Sequence, residues 1–280
     1  MADDGSRQVA VALGGGGARG IAHIVVIEAL DELGVSPAAI AGTSMGAIIG
    51  AAWAAGMRGR DIRQHVLALA RDRGGFMRRL LSARVGRFTD MLGGKLSNPM
   101  LLDGERLLDL CWPQAVPDYF DELKLPFIAV ATDYYGRSAV AFSEGPLVPA
   151  VAASIAIPGL VRPVEIGGKL HFDGGITDPL PFRHLMDRGY FVAACEVTGG
   201  PLRKEDEKPG AIGALLGASQ ILQGALTREI LKATPPDLLL RPSVDQFRLL
   251  DFGKADEILA AAAPLKHELK RAVGTYLDAY

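Results

Sequence analysis

The sequence predicts an α/β fold: a three-layer α/β/α sandwich around a mostly parallel central sheet, with an inserted helical cap. Three observations lead there. The first 56 residues alternate strand, loop, helix, strand, turn and helix, the pattern of parallel βαβ units. The strand candidates are continuous apolar runs, as expected of strands covered on both faces. Residues 57–95 break this pattern with ten Arg and Lys against three Asp, and read as an insertion over the sheet edge. No repeat or low-complexity tail divides the chain. Residues 1–280 are therefore read as one domain, with a basic cap at about 57–112 and C-terminal helices at about 211–280.

The elements follow in order. Val9–Leu13 is a short apolar strand that runs into four glycines. From Ala18 to Leu33, Ile21, Val25, Ala29 and Leu33 fall at helical spacing, and Gly34 supplies a stop. Ala38–Gly42 is a second strand, and Met45–Ala55 a buried helix that ends at Gly56. Helical spacing resumes over residues 104–112. Pro126–Thr132 is a core strand, with Ser138–Phe142 as its partner, and Leu147–Ile157 is a buried helix that stops at Pro158. Gly167-Gly168 between Val164–Ile166 and Lys169–His171 marks a hairpin. Tyr190–Val197 is a further strand and 199–210 a charged Pro/Gly loop. Helices over 211–233 and 254–279 flank a short strand at Leu238–Leu240.

Composition narrows the function classes. The chain is 49% hydrophobic and 22% charged, which excludes a disordered chain and a collagen. A net charge of −2 gives no electrostatic footprint for nucleic acid. Cys111 and Cys195 read as buried thiols. The polar, acidic start Met-Ala-Asp-Asp-Gly-Ser-Arg lacks a signal-peptide pattern, so a cytoplasmic protein is expected. Residues 38–57 carry no charge over a length that reaches across a bilayer. They are rich in Ala and Gly and broken by Gly42-Thr43-Ser44-Met45-Gly46, so a strand, a turn and a helix are expected instead.

That turn matches G-x-S-x-G between a strand and a helix. Such a sharp turn projects a serine hydroxyl from the sheet edge, beside the positive end of a helix dipole. The competing reading of Ser44 is a plain helix N-cap. Gly14-Gly15-Gly16-Gly17-Ala18-Arg19-Gly20 offers backbone N–H groups to an oxyanion or a phosphate. Its 15–20 stretch also fits G-x-G-x-x-G, but strand two carries no carboxylate for a ribose, which weighs against a dinucleotide. Of the five histidines (His23, His65, His171, His184, His267), none has the context of a nucleophile's base. Asp173-Gly174-Gly175 closes a strand; alone, it reads as a turn-forming Asp. No cluster has metal-ligand spacing, so no metal is expected. Asp133 ends a core strand and reads either as a pocket-lining residue or, more plainly, as a turn anchor; Trp53 and Trp112 are expected in the core.

Together these motifs resemble the patatin-like phospholipase family, with its small bacterial members nearest in appearance. The resemblance rests on Gly15-Gly16-Gly17-Ala18-Arg19-Gly20, Gly42-Thr43-Ser44-Met45-Gly46 and Asp173-Gly174-Gly175 in that order. Ala153-Ser154-Ile155-Ala156-Ile157-Pro158 adds a fourth match. About residues 8–197 are covered. The resemblance implies a serine lipid acyl hydrolase of the phospholipase A or esterase type, which uses a Ser–Asp dyad and needs no cofactor. By position, Ser44 is the nucleophile, Asp173 the base and Gly15, Gly16 and Gly17 the oxyanion-hole donors, with Arg19 orienting the loop. An unperturbed Asp, with a pKa of about 3.9, is a weak base near neutrality, so the oxyanion hole is expected to carry more of the rate.

The implied partner is a phospholipid or another acyl ester. The Arg/Leu/Phe stretch Met77–Phe88 suits adsorption to an anionic lipid surface, which would place the protein peripherally at the inner membrane; the plainer reading is a salt-bridged lid. Two alternatives remain open. One is an acyltransferase or thioesterase using the same Ser44; malonyl-type acyltransferases, which carry His where Thr43 stands, are disfavoured. The other is an acyl-lipid-binding regulator without turnover.

Overall fold

The computed structural model describes residues 7–72, 102–186, 188–199 and 210–279. Eight strands form one mixed sheet: β1 (Val9–Leu13), β2 (Ala39–Thr43), β3 (Phe127–Asp133), β4 (Ser138–Phe142), β5 (Val164–Ile166), β6 (Lys169–Asp173), β7 (Phe191–Cys195) and β8 (Leu238–Leu240). The order runs β5-β6-β3-β2-β1-β7-β8, with β4 also paired to β3. β3, β2, β1, β7 and β8 are mutually parallel, whereas β4, β5 and β6 run antiparallel to their partners.

Helices cover both faces. On one lie α1 (His23–Leu33), α2 (Met45–Ala54), α3 (Gly59–Arg71), α4 (Gly104–Cys111), α5 (Leu147–Ser154), α7 (Ala255–Ala262) and α8 (Leu265–Asp278). The other is covered more thinly by a 3₁₀ turn at Phe182–Leu185 and the C-terminal part of α6 (Ala211–Ala233), through Ile230 and Leu231. β1 shows why. Val9, Val11 and Leu13 face the many helices, while Ala10 and Ala12 face Leu180, Phe182 and Leu185. The period-2 alternation thus sorts large side chains to one layer and small ones to the other.

The uncharged run 38–57 folds as β2, the turn and α2, as expected. Three helices differ from their sequence-based bounds. The helix expected from Ala18 opens as a 3₁₀ segment, Gly17–Ala22, and becomes α-helical only at His23. The buried helix from Leu147 stops at Ser154, whose hydroxyl is committed to another strand. The last helix is two, α7 and α8, with Pro264 standing as N-cap of the second, where its missing N–H costs nothing.

Of the expected cap, α3 and α4 are described, while Met77–Phe88 lies outside the described residues. Arg63 on α3 makes a two-pronged bond to Glu28 on α1, at 2.5 and 2.7 Å. Lys266 joins Glu28 from α8 at 2.8 Å. Arg63 thus ties α3 to α1 by an ion pair. Among the described residues, no helix is long and apolar enough to cross a membrane.

Candidate active site

Ser44 sits where β2 meets α2. Its backbone takes φ 55°, ψ −120°, a conformation that L-residues rarely adopt. The turn is so tight that a Cβ at position 46 would collide with the Leu13 carbonyl. Ser44 occupies the N-cap position of α2, yet its side chain makes no capping bond. Its Oγ donates instead to Asp173 Oδ2 at 2.7 Å. That excludes the plain N-cap reading. Both side chains are buried, Ser44 at 7% and Asp173 at 4% exposure.

The pairing follows from strand register. β3 carries β4 along one edge. Along the other, β2 pairs with residues 127–130 and β6 with residues 131–133. β2 runs parallel to β3 and β6 antiparallel, so their C-terminal ends abut. Thr43 lies opposite Val130 and Asp173 opposite Ala131. Ser44 and Asp173 project from that junction.

The two oxygens of Asp173 divide their tasks. Oδ1 accepts from the Gly175 N–H at 2.7 Å, the turn role that the sequence also allowed, and Oδ2 takes Ser44. Burial pushes the Asp173 carboxyl up from 3.8 to about 6, against the opposing pull of the Ser44 and Gly175 hydrogen bonds. The expectation of a weak base is corrected accordingly, because the fold raises this carboxylate toward neutrality.

The segment after Asp173 ties the three motifs together. The Asp178 carbonyl accepts from Thr43 Oγ1 at 2.9 Å, and the Pro179 carbonyl accepts from Gly15 N–H at 2.9 Å. The second bond corrects one expectation: the Gly15 N–H is committed to Pro179 and is not free for an oxyanion. Gly15 lies against Ser44, its missing Cβ falling 3.3 Å from the Ser44 Cβ. The Gly16 and Gly17 N–H groups donate to no described residue, and the next amide, Ala18, donates to the Leu249 carbonyl.

Arg19 is fully buried. Its Nη2 lies 3.5 Å from the Thr198 carbonyl, and its Nε and Nη1 have no partner among the described residues. Burial lowers its pKa, and Asp245 and Glu196 act in the opposite sense. It makes no hydrogen bond to Ser44 or Asp173. Asp133 anchors the β3–β4 turn by accepting from Gly136 N–H at 2.8 Å, and it pairs with Lys169. Trp53 is core and Trp112 half-buried.

Ser154 is the residue that motif reading underused. Its Oγ accepts from the Ser44 N–H at 2.9 Å and donates to the Val130 carbonyl at 2.6 Å. A lone hydroxyl at the end of the otherwise apolar helix Leu147–Ser154 was the available signal. Among the described residues, no histidine bonds to the Ser–Asp pair, and no group of three His, Cys, Asp or Glu side chains is placed to hold a metal.

The family model of patatin-like phospholipases matches residues 11–186, well over half of the chain. The chain belongs to this family. An NTE family protein of Mycobacterium tuberculosis, described as uncharacterized, is 42% identical over 176 residues, 63% of this chain and 45% of its own length. The lysophospholipase NTE1 of Kluyveromyces lactis is 26% identical over 93% of this chain and 19% of its own length. The chain therefore spans less than half the length of these curated relatives. Among solved structures, VipD from Legionella pneumophila superimposes with a TM-score of 0.50 at 15% identity, over 95% of this chain and 67% of that one, a likeness of fold.

Proposed function

We propose that the protein is a serine lipid acyl hydrolase that works through a Ser44–Asp173 dyad and an acyl-enzyme. The observation that carries this reading is the 2.7 Å bond from the Ser44 hydroxyl to a buried carboxylate, at a nucleophile held with positive φ. In the first step, Ser44 Oγ bonds to the ester carbonyl carbon. The carbonyl π pair moves onto oxygen, and the hydroxyl proton passes to Asp173 Oδ2. The oxyanion is met by the Gly16 and Gly17 amides and by the positive end of α2. Collapse of the intermediate breaks the bond to the leaving alcohol, which takes the proton from Asp173. Water, deprotonated by the same carboxylate, then adds to the acyl carbon; the bond to Ser44 Oγ breaks, Oγ takes the proton from Asp173, and the fatty acid leaves.

A lipid ester is the substrate class that fits the surroundings. Residues 211–227 of α6 carry no charged side chain. Leu215, Ile221 and Leu222 are exposed at 54, 73 and 70%. On the same helix, Gln223 Nε2 lies 3.0 Å from where a Cβ on Gly175 would stand, next to the turn that holds Asp173. The helix that touches the turn holding Asp173 thus also exposes apolar side chains, suited to acyl chains and to peripheral contact with a membrane.

The test is labelling by a fluorophosphonate, wild type beside Ser44→Ala, followed by a panel of esters of increasing chain length. Wild type takes up the label and hydrolyses long-chain esters, and folded Ser44→Ala does neither. Persistent labelling of Ser44→Ala ends the reading.

A further inference from the structure

We infer that His23 is a positioning residue for the oxyanion hole, acting as a neutral Nε2–H donor that locks the Gly14–Gly15 peptide. His23 opens α1 and is completely buried. Its Nε2 lies 2.8 Å from the Gly14 carbonyl oxygen, and its Nδ1 has no partner among the described residues. A carbonyl only accepts, so Nε2 carries the proton and Nδ1 is bare. Burial drives the ring's pKa down to about 4, so it stays uncharged at working pH.

The Gly14 carbonyl and the Gly15 N–H belong to one peptide plane, and both ends are bound. The oxygen accepts from His23, and the N–H donates to Pro179 at 2.9 Å. Glycine dihedrals are soft, and a run of four glycines has many ways to turn its amides. Fixing this plane limits the rotations open to the two amides that follow it, Gly16 and Gly17, which donate to no described residue. Free N–H groups stabilise an oxyanion only if they are already aimed where charge develops. By holding the Gly14 carbonyl, His23 would set that aim without touching substrate.

This inference rests on the proposed hydrolase reading, and the experiment separates the two. Steady-state ester hydrolysis is measured for wild type, Ser44→Ala, His23→Phe and His23→Gln. The amide Nε2 of Gln reaches about where the imidazole Nε2 does. Binding of a long-chain alkyl trifluoromethyl ketone, which forms a tetrahedral oxyanion on serine, is measured alongside.

Misplacing a reacting group by about 1 Å costs on the order of 10²-fold. His23→Phe is expected to lose roughly that factor in kcat, with KM little changed and ketone affinity falling in parallel; His23→Gln recovers most of both. Wild-type kcat in folded His23→Phe overturns the inference while leaving the dyad standing. Activity retained in Ser44→Ala overturns the hydrolase reading instead. If His23→Phe does not fold, ¹⁵N NMR of the wild-type imidazole decides: a protonated Nε2 upholds the inference, and a protonated Nδ1 overturns it.

Discussion

Replacing Asp173 by Asn should destroy activity and stabilise the protein. Asn keeps the shape of Asp, and its Oδ1 still accepts from the Gly175 N–H. What it removes is a buried charge. Folding raises the Asp173 pKa from 3.8 to about 6, so above pH 6 the native state holds an anion that burial disfavours. A shift of about two units corresponds to roughly 3 kcal/mol of lost stability at neutral pH. Allowing for exchange of one hydrogen bond, the Asn variant should gain about 2–3 kcal/mol, or roughly 4–8 °C in Tm. The direction is fixed by linkage: a carboxyl with a raised native pKa carries no penalty while protonated, acquires it as pH climbs from about 4 to 6, and keeps it above. The gap between variant and wild type should therefore be full at pH 8 and close by pH 4. Calorimetry or scanning fluorimetry at pH 8, 6 and 4 measures it. Ester hydrolysis should fall about 10³-fold or more, because the proposed general base is gone. An Asn variant that is less stable than wild type at pH 8, or whose offset does not change with pH, refutes the account of Asp173 as a strained buried base.

The same carboxyl should set the pH–rate profile: kcat/KM is expected to rise with pH through an apparent pKa of about 6, and a profile flat from pH 5 to 8 counts against Asp173 as base. Ser154→Ala strips the Ser44 N–H of its acceptor. An unmet buried donor costs about 1–3 kcal/mol, so a lower Tm and a kcat reduced by about tenfold should appear together. Ile221→Asp with Leu222→Asp places charge on the exposed face of α6. Turnover of vesicle lipid should drop while hydrolysis of a soluble short-chain ester is preserved, and equal loss on both substrates removes α6 from lipid contact.

Much of the fold could be read because its signals are local. Glycine runs, strand-length apolar stretches and Gly167-Gly168 each announce an element within a few residues. The three helix bounds that shifted depend on something else. The 3₁₀ opening at Gly17–Ala22 is set by packing of the glycine loop, and Ser154 ends its helix because its hydroxyl is held by Val130. The candidate residues Ser44 and Asp173 were legible through glycine-flanked motifs. Their hydrogen bond was not, since it spans 129 positions and depends on which strands share an edge. The spare capacity of individual amides was equally hidden. Nothing in Gly15-Gly16-Gly17 tells that the first is spoken for by Pro179; that contact arises only when the segment behind Asp173 folds back over the loop.

A serine and an aspartate can work without a histidine between them only if their backbones are brought unusually close, since each side chain extends just one methylene from its Cα. The sheet supplies this closeness through a mixed junction rather than through a flexible loop. Two parallel strands on the same edge of β3 would meet head to tail, with one chain's beginning at the other's end. Because β6 runs against β3 while β2 runs with it, two C-terminal ends meet at neighbouring registers, Val130 and Ala131. C-terminal ends are where a chain can leave the sheet in a sharp turn, and both do so: Thr43 into the positive-φ turn at Ser44, and Asp173 into the 3₁₀ turn at Gly174–Ile176. The antiparallel strands that depart from a purely parallel α/β sheet are thus the feature that makes this pair possible. The same burial that holds the pair together raises the carboxyl's pKa, so the junction that positions the carboxylate also tunes it.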